Sequence, residues 1–196
     1  MLNSCRWLHL IALAGCLGGV FPTAPWAAST AVSSESAPST LAQARAFFEK
    51  GDAKSAEAAV RRTLQLNPAS AEAHILLGKI LVGERKPQEA VSEFSRALTL
   101  KAASVEALNG LATAYLAQGK FPEAEQALMQ AIEANPKEGE AYLNLAKARE
   151  LQRDGPGAMK LYQRLLAVQP FHAEALFRLA VLQDSGGETK AARETL

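Results

Sequence analysis

From residue 37 onward, large apolar side chains come in short bursts spaced three and four residues apart, and the bursts return with a period of 34 residues. Within Ala71–Ser104, Leu77, Ile80 and Leu81, beside small Gly78 and His74, make one helical face. After the break Gly83-Glu84-Arg85-Lys86-Pro87, Ala90, Val91, Phe94, Ala97 and Leu98 make a second. Val105–Glu138 and Gly139–His172 repeat the pattern column by column. Ala90 becomes Ala124, Ala158 and Ala192; Phe94 becomes Leu128, Tyr162 and Leu196; Leu77 becomes Leu111, Leu145 and Leu179. One period earlier stand Ala56, Val60 and Asn67-Pro68. Each unit therefore reads as two helices that cannot bury their apolar faces alone and must stack on their neighbours. The predicted fold is all-α, with nine or ten helices in units 37–70, 71–104, 105–138, 139–172 and a shortened 173–196.

Polar residues mark the helix ends. Ser70 and Ser104 stand where N-caps belong. Glu72 and Glu106 follow in the first turn, and Glu140 and Glu174 share their column. At a helix N-terminus each carboxylate is favourable by about 0.3–1 kcal/mol, which explains the register without a ligand. Pro87 suits a helix entrance. In the first unit, Ser39 or Thr40 is the expected cap, with Gln43 three residues after Thr40. Ala44, Phe47 and Phe48 follow as the apolar face, and Gly51-Asp52 turns the chain. Gly155-Pro156-Gly157 reads as an inter-helix turn rather than a phosphate loop.

His74, Leu77, Gly78, Leu81, Ala90, Phe94 and Ala97 together resemble the pattern of the tetratricopeptide repeat family. The third unit resembles it more fully through Leu108, Leu111, Ala112, Tyr115, Ala124, Leu128, Ala131 and Pro136. In the fourth, Tyr142, Leu145, Ala146, Ala158, Tyr162 and Pro170 agree, while Arg149 replaces an aromatic residue. The resemblance implies a right-handed superhelical α-solenoid whose concave groove binds protein or peptide partners.

Residues 1 to about 30 follow other rules. Arg6 precedes an apolar run from Trp7 to Phe21, then Pro22, Pro25 and small residues, the layout of a secretory signal. The run is short for the roughly 20 residues that span a bilayer, so a permanent anchor is the weaker reading. Leu13-Ala14-Gly15-Cys16 resembles the bacterial lipobox, which implies acylation of Cys16 and membrane attachment through it. Ordinary cleavage near Ala27-Ala28-Ser29 or Ser29-Thr30-Ala31 is the competing reading. The expected divisions are a signal at 1–28, a flexible linker at 29–38, and the repeat domain at 39–196. The product is then exported, as a periplasmic protein or outer-membrane lipoprotein, or otherwise secreted. Cys5 and Cys16 are the only cysteines, so the repeats contain none.

With 21 basic and 20 acidic residues, the chain has no electrostatic reason to meet nucleic acid. The three histidines, His9, His74 and His172, are scattered, and no metal-binding spacing is present. His74 falls in a core column and His172 at a repeat junction. Glu123 and Glu125 read as solvated helix surface. No catalytic constellation and no cofactor motif emerges, and the chain is expected not to be an enzyme.

In the family the resemblance points to, the columns one residue after the core positions line the concave groove. Here they read Leu41, Arg45 and Phe48; Ile75, Lys79 and Val82; Asn109, Thr113 and Leu116; Leu143, Lys147 and Glu150; Phe177, Val181 and Asp184. Some family members clamp a terminal carboxylate with Lys, Asn and Arg side chains. Only Asn144 and Arg178 occupy matching columns, so that clamp is not expected. Arg45, Lys79 and Lys147 share one column. They suggest a partner peptide with apolar residues and a carboxylate, unless they merely pair with nearby glutamates. The expected role is a protein-interaction scaffold of the bacterial cell envelope. The alternative is the N-terminal repeat region of a longer exported protein whose remainder carries an enzymatic or assembly domain.

Overall fold

The computed structural model describes residues 36–195. The expected signal at 1–28, Cys16 and most of the expected linker lie outside the described residues. The described chain folds into α1 (Ala37–Glu49), α2 (Ala53–Leu66), α3 (Ala71–Gly83), α4 (Pro87–Leu100), α5 (Val105–Ala117), α6 (Phe121–Ala134), α7 (Gly139–Leu151), α8 (Gly155–Val168), α9 (Ala173–Ser185) and α10 (Thr189–Thr195). No strand occurs among the described residues, and the architecture is the all-α superhelical solenoid expected from the repeats.

Helix starts recur in register because their caps do. Ser70 and Ser104 accept from the backbone N–H groups of Ala73 and Ala107. His172, at the repeat junction in the same column, accepts through its ring Nδ1 from Ala175 N–H at 3.2 Å and so caps α9. The first cap departs from expectation. It is Ser36, reciprocated by Ser39, because Ala37-Pro38 already forms the first turn, where proline's missing N–H is not needed. Thr40 is instead buried one turn in, accepting from the Thr63 hydroxyl at 2.9 Å. Gly155 and Pro156 likewise belong to the first turn of α8 rather than to a loop, with Asp154 accepting from Gly157 N–H at 2.9 Å.

Each pair of helices turns through one left-handed residue, again in a single column: Gly51, Arg85, Gly119, Arg153 and Gly187, with φ between 60° and 85°. Successive helices pack together, and the odd-numbered helices also meet across repeats, α1 on α3, α3 on α5 and α5 on α7. They form the inner, concave layer. The even-numbered helices form the outer one.

The core lies between the layers. Ala56, Ala90, Ala124 and Ala158 are fully buried where paired helices approach, next to Val60, Phe94, Leu128 and Tyr162. Phe94 is held between α3 and α5: a Cβ added to Gly78 would stand 2.8 Å from its ring, and one added to Gly110 closer still. His74 is a packed core residue, with Nδ1 2.6 Å from a Glu93 carboxylate oxygen and Nε2 3.1 Å from the Pro68 carbonyl.

Candidate functional site

Two concavities on the inner layer share Phe48, Lys79 and Glu106 and so form one furrow across α1, α3, α5 and the start of α7. The first runs from Arg45 and Glu49 past Ile75. The second, about 320 Å³, continues past Val82 and Asn109 to Thr113 and Glu140. The repeat register places them so: each odd helix presents the same three columns, one turn apart, to the concave side.

The predicted groove residues divide into floor, wall and ends. Ile75 and Asn109 are buried floor residues, Leu41 is buried on α1 outside the furrow lining, Val82, Leu116 and Leu143 are half-buried, and Phe48 is 39% exposed. Asn144 is half-buried on the neighbouring column of α7. Phe177 and Val181 are exposed on α9, around a separate concavity that includes Asp184 and Arg193 of α10.

The basic column is neutralised within the fold. Arg45 pairs with Glu72 at 3.5 Å, Lys79 with Glu106 at 2.5 Å and Lys147 with Glu174 at 2.8 Å. Each cation thus meets the first-turn glutamate of the next repeat, 27 residues on. The series breaks once. Thr113 stands where a lysine would, its hydroxyl donates to the Asn109 carbonyl at 2.9 Å, and Glu140 has no cation partner among the described residues.

Toward the C-terminal end the charges close on one another. Tyr162, fully buried, donates to Glu150 at 2.7 Å. Arg178 donates to Glu150 at 2.8 Å and to Glu174 at 3.1 Å. Burial and the bond to Glu150 push the Tyr162 phenol well above its ordinary range. The hydrogen bond from Lys147 holds the Glu174 carboxyl below its ordinary value, against a smaller opposing effect of burial. Arg149 bonds Glu125 and, at 3.5 Å, Asp154, so Glu125 is a paired group rather than plain solvated surface.

Pairing of the basic column with nearby glutamates was one of the two readings open from sequence, but which glutamates was not specified, because each glutamate was weighed against its own helix. The signal was present as a basic residue followed 27 positions later by glutamate, three times over. Sequence reasoning missed Glu49 as a furrow residue. Among the described residues, no group of three or more His, Cys, Asp or Glu side chains is arranged to hold a metal ion. No described helix is long and apolar enough to cross a membrane.

Two family models, each described as tetratricopeptide repeat, match the chain: one over residues 81–149, the other over 41–105 and 152–196, more than half of its length. No curated protein matches. Among solved structures, PilF of Pseudomonas aeruginosa is 21% identical, with 81% of this chain and 72% of that one covered and a TM-score of 0.75. TTC0263, a tetratricopeptide repeat protein of Thermus thermophilus, is 19% identical over 82% of this chain and 88% of that one, with a TM-score of 0.70. YrrB, described as a tetratricopeptide repeat protein with an unusual peptide-binding site, is 20% identical, covers 80% of each chain and has a TM-score of 0.60. At these identities the likeness is one of fold.

Proposed function

The chain belongs to the tetratricopeptide repeat family, and we propose that it is a non-enzymatic interaction scaffold of a bacterial cell envelope that holds a partner's extended peptide segment along its concave furrow. The observation that carries this reading is the furrow itself. It is continuous over four inner helices, floored by buried apolar residues, and flanked by Phe48, whose ring is 39% exposed beside Val82. An extended segment lying there removes apolar surface from water, at roughly 25 cal/mol per Å². The paired charges along the wall give it polar neighbours. YrrB, similar in fold, is described as having a peptide-binding site, which is consistent with this use of the inner layer.

Export rests on the N-terminal pattern, the apolar run after Arg6 and the lipobox-like Leu13–Cys16. In this reading Cys16 is acylated and tethers the domain to a membrane. Intact mass of the membrane fraction tests it: a diacylated Cys16 as the first residue is expected, and a mature N-terminus beyond Cys16 excludes it.

The furrow is tested by placing a photo-crosslinking amino acid at position 82 or, on the outer layer, at position 129, in the full chain expressed in a bacterial host. A discrete adduct from position 82, absent from 129, is the expected result. Adducts from 129 alone place the partner on the convex side and overturn the furrow reading.

A further inference from the structure

The electrostatics of the furrow run opposite to what its basic column suggests. Its lining holds two cations, Arg45 and Lys79, against four carboxylates, Glu49, Glu72, Glu106 and Glu140. Both cations are already engaged, with Glu72 and Glu106. The unanswered charge is therefore negative, on Glu49 at one end and Glu140 at the other. The uncharged polar group between them is unanswered as well. Asn109 is 4% exposed on the furrow floor, and its Oδ1, itself closed off from solvent, meets no hydrogen-bond donor among the described residues. A buried acceptor left without a partner is costly, and such exceptions in native folds call for an explanation. Thr113 supplies no proton to it, because its hydroxyl is committed to the backbone carbonyl of Asn109.

Resting on the peptide-furrow reading above, we propose that the furrow selects a basic segment. An arginine or lysine side chain of the bound peptide takes the place that a lysine at position 113 would hold, pairing with Glu140, while the flanking apolar residues lie against Phe48 and Val82. Charge complementarity argues for this occupant over an acidic one. An acidic peptide would have to displace Glu72 or Glu106 from existing pairs and would face two uncompensated carboxylates. A basic peptide breaks no bond. An arginine fits the site best, since its planar fork can meet both oxygens of the Glu140 carboxylate at once, whereas an ammonium is a single point charge.

The test uses the full chain and four acetylated, amidated, fluorescein-labelled pentapeptides, Ala-Leu-Xaa-Leu-Ala, in which Xaa is Arg, Lys, Gln or Glu. Binding is read by fluorescence anisotropy at low salt. The Arg peptide is expected to bind about tenfold more tightly than the Gln peptide, equivalent to about 1.4 kcal/mol, with Glu the weakest. Glu140→Gln removes the carboxylate and Thr113→Lys supplies the missing internal cation. Each is expected to bring Arg and Gln within about twofold of one another, with helical circular dichroism unchanged. Binding without an Arg preference, a preference for Glu, or an Arg preference that survives Glu140→Gln overturns the basic-segment proposal and leaves the furrow reading standing. A dimer of the chain that excludes all four peptides, or no binding by any of them, overturns both.

Discussion

Gly110→Ala should destabilise the protein, although the same change at Gly83, in another inner helix, should do no harm. In a helix interior, replacing glycine by alanine normally gains about 0.5–1 kcal/mol, because alanine loses less backbone freedom on folding. Gly110 lies within α5. A Cβ at this position would run into the ring of Phe94, which is fully buried and itself backed by Gly78 on α3. The ring has nowhere to retreat, and inserting a methyl into such a contact costs about 1–3 kcal/mol. The overpacking exceeds the backbone gain, and the expected net loss is about 1–2 kcal/mol. Urea unfolding followed by circular dichroism reads it as a lower midpoint at unchanged slope. Gly83→Ala is the matched control. It is also helical, at the end of α3, but its added Cβ meets nothing within 4 Å, so its midpoint should hold or rise slightly. Phe94→Leu, which installs the kind of residue that Leu128 provides one repeat later, should itself destabilise but remove most of the Gly110→Ala penalty in the double variant. If Gly110→Ala raises the midpoint as Gly83→Ala does, the ring is not held between the two helices and the packing argument fails.

Two further outcomes follow from the same structure. Arg85 occupies the left-handed turn column with φ 60°, so Arg85→Gly should add about 0.5–1 kcal/mol of stability in urea unfolding, the strain relieved less glycine's entropy cost; the converse Gly119→Ala, at φ 72°, should remove about 1 kcal/mol. Lys147→Gln removes the main group holding the Glu174 carboxyl below its ordinary value. A lowered folded-state value stabilises above the unfolded one and is lost as pH falls through it, so the stability gap between wild type and Lys147→Gln should be full at pH 7 and close in acid, in midpoints measured from pH 7 to about pH 3, below the ordinary glutamate value near 4.3.

Most of the fold was legible because the repeat writes the same physical instruction several times. An alanine column, a bulky column and a cap column at a fixed 34-residue spacing specify two helices, their close approach and their start. The errors arose where one unit departs from its siblings. In the first, Ser39 and Thr40 satisfied the cap rule locally, but Pro38 had already opened the helix, and Thr40 was needed inside to meet Thr63, which stands where later repeats carry Ala97 and Ala131. In the fourth, Arg149 gave no apolar contact to predict, and its bond to Glu125 crosses 24 residues that no local rule connects. The groove columns were found from the register, but the choice between a free and a paired basic column was not settled there. A column of cations is visible in sequence, whereas its neutralisation by the following repeat depends on how the inner helices stack.

That stacking also explains why the furrow can carry an unpaired carboxylate at Glu140. The inter-repeat pairs are exposed, and pairs of this kind contribute at most about 0–1 kcal/mol each, so the threonine at position 113 costs the array little. Glu140 still sits in the first turn of α7, where the helix N-terminus favours a negative charge by about 0.3–1 kcal/mol whether or not a cation faces it. It is thus held in place by its own helix rather than by a partner. Glu72 and Glu106, in the same position of their helices, have their outward side occupied by Arg45 and Lys79. The break at Thr113 turns one rung of a structural series into an open acceptor, beside the one buried side-chain oxygen among the described residues that lacks a donor, Asn109 Oδ1. Thr113 and Glu140 line the same cavity because Glu140 begins the helix packed beside α5. A ligand cation entering there meets a charge that folding has positioned and left unanswered.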